Sequence, residues 1–323
     1  MSRPMTLQTL RNRNPVARKW AIGGMAMVLG LGLSIPGRRV RFVVENFGAV
    51  PEEPVLFALN HTHFVDWIAM RWVAFLHGRM QLNWVKPRTY EQGFSRFLDL
   101  TGNVPLTSRG YLISADVRAV ADRAPSEDEY RILRDHVDTG EPLPDGELYE
   151  ALQYRPRAIL GLPFDPDDRT WRRAIEVLFE QMMQATLGHT RTLVNRGLDL
   201  AVMPQGSTSM RLTRGHSGAL QAALWLDIPV VAVGISGFPQ AFGDSKNIPR
   251  HGGTVIVRIG DPYRPQKIEG HAPFRAESER EHRDALVAGT RDMMERINAL
   301  LEPEHQWADD LDDIDISGVA RFI

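Results

Sequence analysis

Along the chain, short apolar runs alternate with stretches in which apolar residues recur every three or four positions. The runs VRFVVEN (40–46), PVLFAL (54–59), LDLAVMP (198–204), IPVVAVGIS (228–236) and TVIVRIG (254–260) predict strands, with weaker candidates at 81–86 and 103–106. Helical periodicity falls at 64–77, 90–100, 110–122, 169–196, 215–226 and 276–301. Strands that alternate with helices predict a single α/β domain over residues 40–301, a largely parallel mixed sheet of about seven strands flanked by helices. The near-continuous apolar VVAVGI suits a strand covered on both faces.

Three stretches break this rhythm. Residues 123–168 are rich in Pro, Gly, Asp and Glu and predict an insertion with one short helix, not a separate domain. Residues 302–323 are acidic, lack a helical apolar stripe and predict a mobile tail. Near the start, within residues 1–39, WAIGGMAMVLGLGLSIP (20–36) carries no charge, with Arg18-Lys19 before it and Arg38-Arg39 after. Its length is at the low edge for spanning roughly 30 Å of hydrocarbon, and its glycines weaken it as a helix. No convincing signal-cleavage site follows it. Basic flanks on both sides suit a membrane-associating segment that lies in the interface, at the cytoplasmic face of the cell membrane; a buried core helix is the alternative.

Composition changes this picture little. With 323 residues, a net charge of −2 and a pI of about 6.6, nothing calls for nucleic acid as a partner. The absence of cysteine removes disulfides, thiolate nucleophiles and cysteine-based zinc sites.

Candidate chemistry gathers where the run 54–59 gives way to the helix 64–77. There the chain reads NHTHFVDW, with His61, His63 and Asp66 at the strand-to-helix junction where α/β proteins bind ligands. His61 and Asp66 stand in an H-x4-D relation, a weak pattern that His305 and Asp310 in the acidic tail also match. Five residues of regular helix turn through about 500°, which leaves the two side chains about 140° apart. They meet only if His61 lies on the turn before the helix, whereas His63 and Asp66 would share a helix face in any case. Asn60 or Thr62 would cap that helix.

A histidine oriented by a carboxylate is a general base. No Gly-x-Ser-x-Gly elbow supplies a protein nucleophile, since GHSGA at 215–219 ends in alanine, so a substrate hydroxyl is the expected nucleophile. No metal site is expected, because no third-ligand pattern accompanies His61, His63 and Asp66.

These residues resemble the glycerolipid acyltransferases, the 1-acylglycerol-3-phosphate (PlsC-type) family. NHTHFVDW resembles the first block of that family, and GNVPLTSR (102–109) the second. VMPQGSTS (202–209) stands where the third usually reads Phe-Pro-Glu-Gly-Thr-Arg-Ser, and IPVVAVGIS resembles the fourth. Four blocks in the family's order, over about residues 40–260, are far more specific than H-x4-D alone.

The resemblance implies transfer of an acyl group from a thioester donor, acyl-CoA or acyl-carrier protein, to a hydroxyl of a lysophospholipid-like acceptor, with no further cofactor. It implies His61 as the base, Asp66 as its orienting acid and Arg109 as the holder of an acceptor phosphate or other anion. Gln205, Gly206 and Ser207 of the third block would line the substrate, with Gly206 allowing close approach. Here the chain departs from the pattern: Gln205 replaces glutamate and Thr208 replaces arginine, so a charge and a bidentate anion clamp are lost. Arg211 and Arg214 follow closely enough to substitute. Two other functions stay open, a catalytically silent lipid-binding relative and a hydrolase of acyl esters or thioesters.

Overall fold

The computed structural model describes residues 4–33, 39–63, 65–93, 95–243 and 253–307. Its strands are β1 (Val40–Glu45), β2 (Leu56–Leu59), β3 (Gln81–Val85), β4 (Asn103–Pro105), β5 (Arg157–Ile159), β6 (Leu162–Phe164), β7 (Asp199–Val202), β8 (Val230–Ser236) and β9 (Gly253–Ile259). The first helices are α1 (Leu7–Arg11), α2 (Lys19–Gly32), α3 (Asp66–Leu76), α4 (Pro87–Glu91), α5 (Ser95–Leu100) and α6 (Arg109–Ala121). They are followed by α7 (Glu127–Thr139), α8 (Glu147–Tyr154), α9 (Trp171–Val194), α10 (Gly218–Leu226), α11 (Phe238–Phe242), α12 (Ala276–Glu281) and α13 (Arg283–Asn298).

Seven strands form one sheet in the order β1-β9-β8-β2-β7-β3-β4. All neighbours are parallel except β8 and β9, so β8, β2, β7, β3 and β4 end along one shared edge. The register explains the sequence pattern. Val230, Leu56, Leu200 and Leu82 make one fully buried row across four strands, facing Leu220 and Ala223 of α10 and Leu286, Met293 and Ile297 of α13. One residue on, Val231, Phe57 and Ala201 belong to the opposite face, with Ala69, Met70 and Val73 of α3 and Phe238 and Phe242 of α11. Helices cover both faces, which is why these strands read as unbroken apolar runs.

Residues 123–168 hold more structure than one short helix: α7, α8 and the antiparallel β5–β6 pair. Ser126 opens α7 with a reciprocal cap, its hydroxyl accepting the Glu129 N–H while the Glu129 carboxylate accepts the Ser126 N–H. Leu133 and Val137 of α7 join Leu152, Leu112 and Trp171 in a core of their own, which also takes Leu7 and Leu10 of α1. Buried Asp116 ties this unit together, accepting from Trp171 Nε1 at 2.8 Å and from Arg157 Nε at 2.9 Å. The acid-rich surface of α7 leaves only Leu133 and Val137 buried, a stripe so narrow that the sequence predicts no more than one short helix in this insertion. The helix predicted over 276–301 is broken at His282 into α12 and α13.

α2 has 14 residues, about 21 Å of helix. Among the described residues no helix is long and apolar enough to cross a membrane. Ile22, Ala26 and Gly30 face inward, with Gly30 directly beneath the Trp72 ring of α3. Trp20, Met27, Val28 and Leu31 are exposed on the other side. Residues 34–36 of the predicted membrane segment and 308–323 of the predicted tail lie outside the described residues.

At the edge of the sheet, buried Asn60 continues the pairing of β2 with β8 through its side chain. Its Nδ2 donates to the Ile235 carbonyl at 2.9 Å, and its Oδ1 accepts the Ile235 N–H at 2.8 Å. Asn60→Leu strands both backbone groups and is expected to cost about 2–4 kcal/mol, read as a lower urea midpoint at unchanged slope. A change below about 0.5 kcal/mol, the range of ordinary surface substitutions, would contradict the role.

Candidate active site

β2 ends at Leu59, residues 61–63 turn, and α3 opens at Asp66. Asp66 is fully buried at the first position of the helix, where the helix dipole favours a negative charge. Its Oδ2 accepts the backbone N–H of Thr62 at 2.6 Å and of His63 at 2.8 Å, and lies 3.3 Å from His61 Nδ1. These bonds fold the turn back over the carboxylate and put His61 ahead of the helix, which removes the 140° obstacle. Neither Asn60 nor Thr62 caps α3, whose cap is Val65 without a side-chain bond. The carboxylate does that work for the turn, and Asn60 is committed to β8.

In a neutral ring with Nδ1 donating to Asp66, Nε2 at the far edge carries the lone pair. The His61 side chain keeps 17% of its surface exposed. His63 goes elsewhere. Its ring packs 4.9 Å from the Phe242 centroid and 6.1 Å from that of Phe238, and it meets Asp66 only through its backbone N–H.

The loop after β7 fastens the backbone of His61. Gln205 Oε1 accepts the His61 N–H at 2.7 Å, and Ser209 N–H donates to the His61 carbonyl at 2.8 Å. Gln205 is buried, and its Nε2 donates to Thr213 Oγ1 at 3.2 Å, so both ends of the amide are taken. The sequence suggests Gln205 as a substrate ligand; the structure makes it a strut for His61. Gly206 has φ of 70°, and a Cβ there would lie 2.9 Å from the His216 ring. Its close approach is therefore to His216 rather than to substrate. Ser207 and Arg211 are exposed on the same loop, and Arg211 has no hydrogen-bond or ion-pair partner among the described residues.

Arg109 is brought to the same sheet edge but not to an open site. It begins α6, and its Nη2 donates to Glu279 Oε2 of α12 at 2.6 Å. Asp138 of α7 stands 3.8 Å from Nη1, and the Phe179 ring of α9 lies under the guanidinium at 4.6 Å. The expectation of an arginine open to a substrate anion thus meets one already paired, because α7 and α12 deliver acids from far along the chain.

Sequence reasoning also missed His305. It is buried in the 3₁₀ turn Pro303–His305, donates from Nδ1 to the Met210 carbonyl at 2.8 Å, and accepts the Leu212 N–H on its own carbonyl at 2.9 Å. It clamps the loop that holds His61. The acidic residues after it gave no sign of this, and neither Glu279 nor Thr213 carries a local signal. Among the described residues no group of three or more His, Asp or Glu side chains is arranged to hold a metal ion.

No family model and no curated protein matches the sequence. Among solved structures, the crystal structure of the 1-acyl-sn-glycerophosphate (LPA) acyltransferase PlsC from Thermotoga maritima is similar over 89% of this chain and 79% of that one, with 13% identity and a TM-score of 0.42.

Gln205→Leu removes the acceptor for the His61 N–H and the donor to Thr213. The unpaired His61 N–H alone should cost about 1–3 kcal/mol of stability, seen as a lower melting temperature. Gln205→Leu melting with the wild type would show that the strut carries no load.

Proposed function

We propose that this protein is a membrane-associated O-acyltransferase that moves a fatty acyl group from acyl-CoA or acyl-carrier protein to a hydroxyl of a lysophospholipid-like acceptor. The observation that carries this reading is His61: Nδ1 faces a buried carboxylate held by the turn itself, while the ring remains partly exposed. The order of the four sequence blocks supplies the reaction class. Cysteine and a serine elbow are both absent from the sequence, in keeping with direct transfer between two substrates.

In this mechanism His61 Nε2 takes the proton of the acceptor hydroxyl as its oxygen attacks the thioester carbonyl. The tetrahedral intermediate collapses, the carbon–sulfur bond breaks, and the thiolate receives the proton from the imidazolium. Asp66 fixes the ring and stabilises its charged form in between. Ser207 and Arg211, exposed on the loop that holds His61, supply polar contacts to the acceptor.

The exposed side of α2 is the membrane-facing surface in this proposal. Trp20, Met27, Val28 and Leu31 share one helical face, Leu76 of α3 is exposed as well, and Arg18 and Lys19 stand at the head of α2 with Arg196 in the adjoining cleft. Basic residues before and after this segment favour the cytoplasmic face, and each cation near an anionic surface adds about 1 kcal/mol.

Incubation with radiolabelled acyl-CoA, with and without a panel of lysolipids, tests the reaction. Label in an acylated lipid supports transfer; label released as free acid irrespective of acceptor would establish a hydrolase instead. His61→Ala should lower turnover by about 10²–10⁴-fold and His63→Ala far less. The reverse order would sink the assignment of the base. For the membrane, Trp20→Glu, Val28→Glu and Leu31→Glu combined should abolish sedimentation with anionic vesicles, since the three side chains make no core. Undiminished sedimentation would place the binding surface elsewhere.

A further inference from the structure

Arg109 leaves the end of β4 along the edge that also carries His61 at the end of β2, three strands or about 14 Å away. The strand order thus sets Arg109 on the edge that carries the proposed base, with its guanidinium lodged between α7, α9 and α12. Its charge is already met. Glu279 Oε2 accepts from Nη2 at 2.6 Å, and Gln221 Nε2 fixes the other oxygen of Glu279 at 3.1 Å. Asp138 stands 3.8 Å from Nη1 and is itself held by Arg134 at 2.6 Å, while Phe179 covers one face of the guanidinium. The side chains of Arg109 and Glu279 are only 18% and 14% exposed, so solvent screens the pair weakly.

Burial draws the Arg109 pKa down, but Glu279, through charge and hydrogen bond, and then Asp138 and Glu176 outweigh it and raise it. A phosphate dianion at this guanidinium would have to displace Glu279 from two hydrogen bonds or sit beside three carboxylates. Either is unfavourable where the surroundings are poorly hydrated.

Resting on the acyltransferase reading above, we infer that Glu279 is a specificity-determining residue: it occupies Arg109 in place of a substrate anion, so that acceptance of a lipid does not depend on a terminal phosphate monoester. Specificity here is set by an internal competitor for the arginine, not by a contact with the accepted lipid. Gln221 is part of the device, because it holds the Glu279 oxygen that Arg109 does not.

Acylation of 1-oleoyl-lysophosphatidate and of 1-oleoylglycerol by the full chain with oleoyl-CoA tests this, and calorimetric binding of the two lipids gives a readout independent of turnover. The wild type should take both with KM and Kd values within about threefold of one another, a small difference on the affinity scale. Glu279→Gln keeps the shape and removes the charge, and should shift the ratio toward lysophosphatidate by about tenfold or more. Arg109→Met with Glu279→Met removes the pair entirely and should return the wild-type ratio, which guards against a trivial folding effect. A Glu279→Gln ratio equal to the wild type would overturn the inference. So would a strong wild-type preference for lysophosphatidate that Arg109→Met abolishes. Loss of transfer to both lipids, with the binding ratios as expected, would instead overturn the acyltransferase reading and leave the role of Glu279 standing.

Discussion

A fully buried carboxylate must find hydrogen-bond donors, and the position of Asp66 at the first residue of α3 leaves the preceding turn as the place to find them. The N–H groups of Thr62 and His63 converge on one oxygen, and the chain folds back over it. That demand shapes how the chain enters α3 and which edge of the His61 ring is occupied. An aspartate further into the helix would place its carboxylate too far around the axis to reach His61.

Around this turn the supports come from three separate parts of the chain. Asn60 is fixed to β8, the His61 backbone is held from the β7 loop by Gln205 and Ser209, and that loop is held in turn by His305. The base proposed at His61 would gain from such restraint, because orientation is worth more than contact number. His63 shows the contrast. It lies two residues away with the same chemistry, yet its ring is packed against Phe238 and Phe242.

The outer part of the edge is organised differently. A core built by α1, α6, α7, α8 and α9 carries Asp138 toward Arg109, and α12 brings Glu279 from the other side. Glu176, nearly buried on α9, is bracketed by Arg173 and Arg280, each at 3.1 Å. Such mostly buried pairs add little net stability over apolar packing, but they fix geometry and the sign of the local charge.

The sequence alone determined the parts that repeat locally. The near-continuous VVAVGI meant a strand covered on both sides, as β8 is, and β2, β7, β8 and β9 lie where the apolar runs predict strands, because side-chain alternation and burial are properties of neighbours. The placing of His61 on a turn before the helix was also legible, since the five-residue spacing admits contact with Asp66 in no other way. What tertiary structure alone decided are the meetings of residues far apart in the chain. Gln205 looked like a substrate ligand because its partner Thr213 leaves no local pattern, and His305 looked like part of a solvated tail although it is wholly buried. Arg109 looked open because Glu279 lies 170 residues away. Spacing reports which side chains share a face of one element; which face then meets which acid is set by the packing of α6, α7, α9 and α12 against one another, and no local period records that.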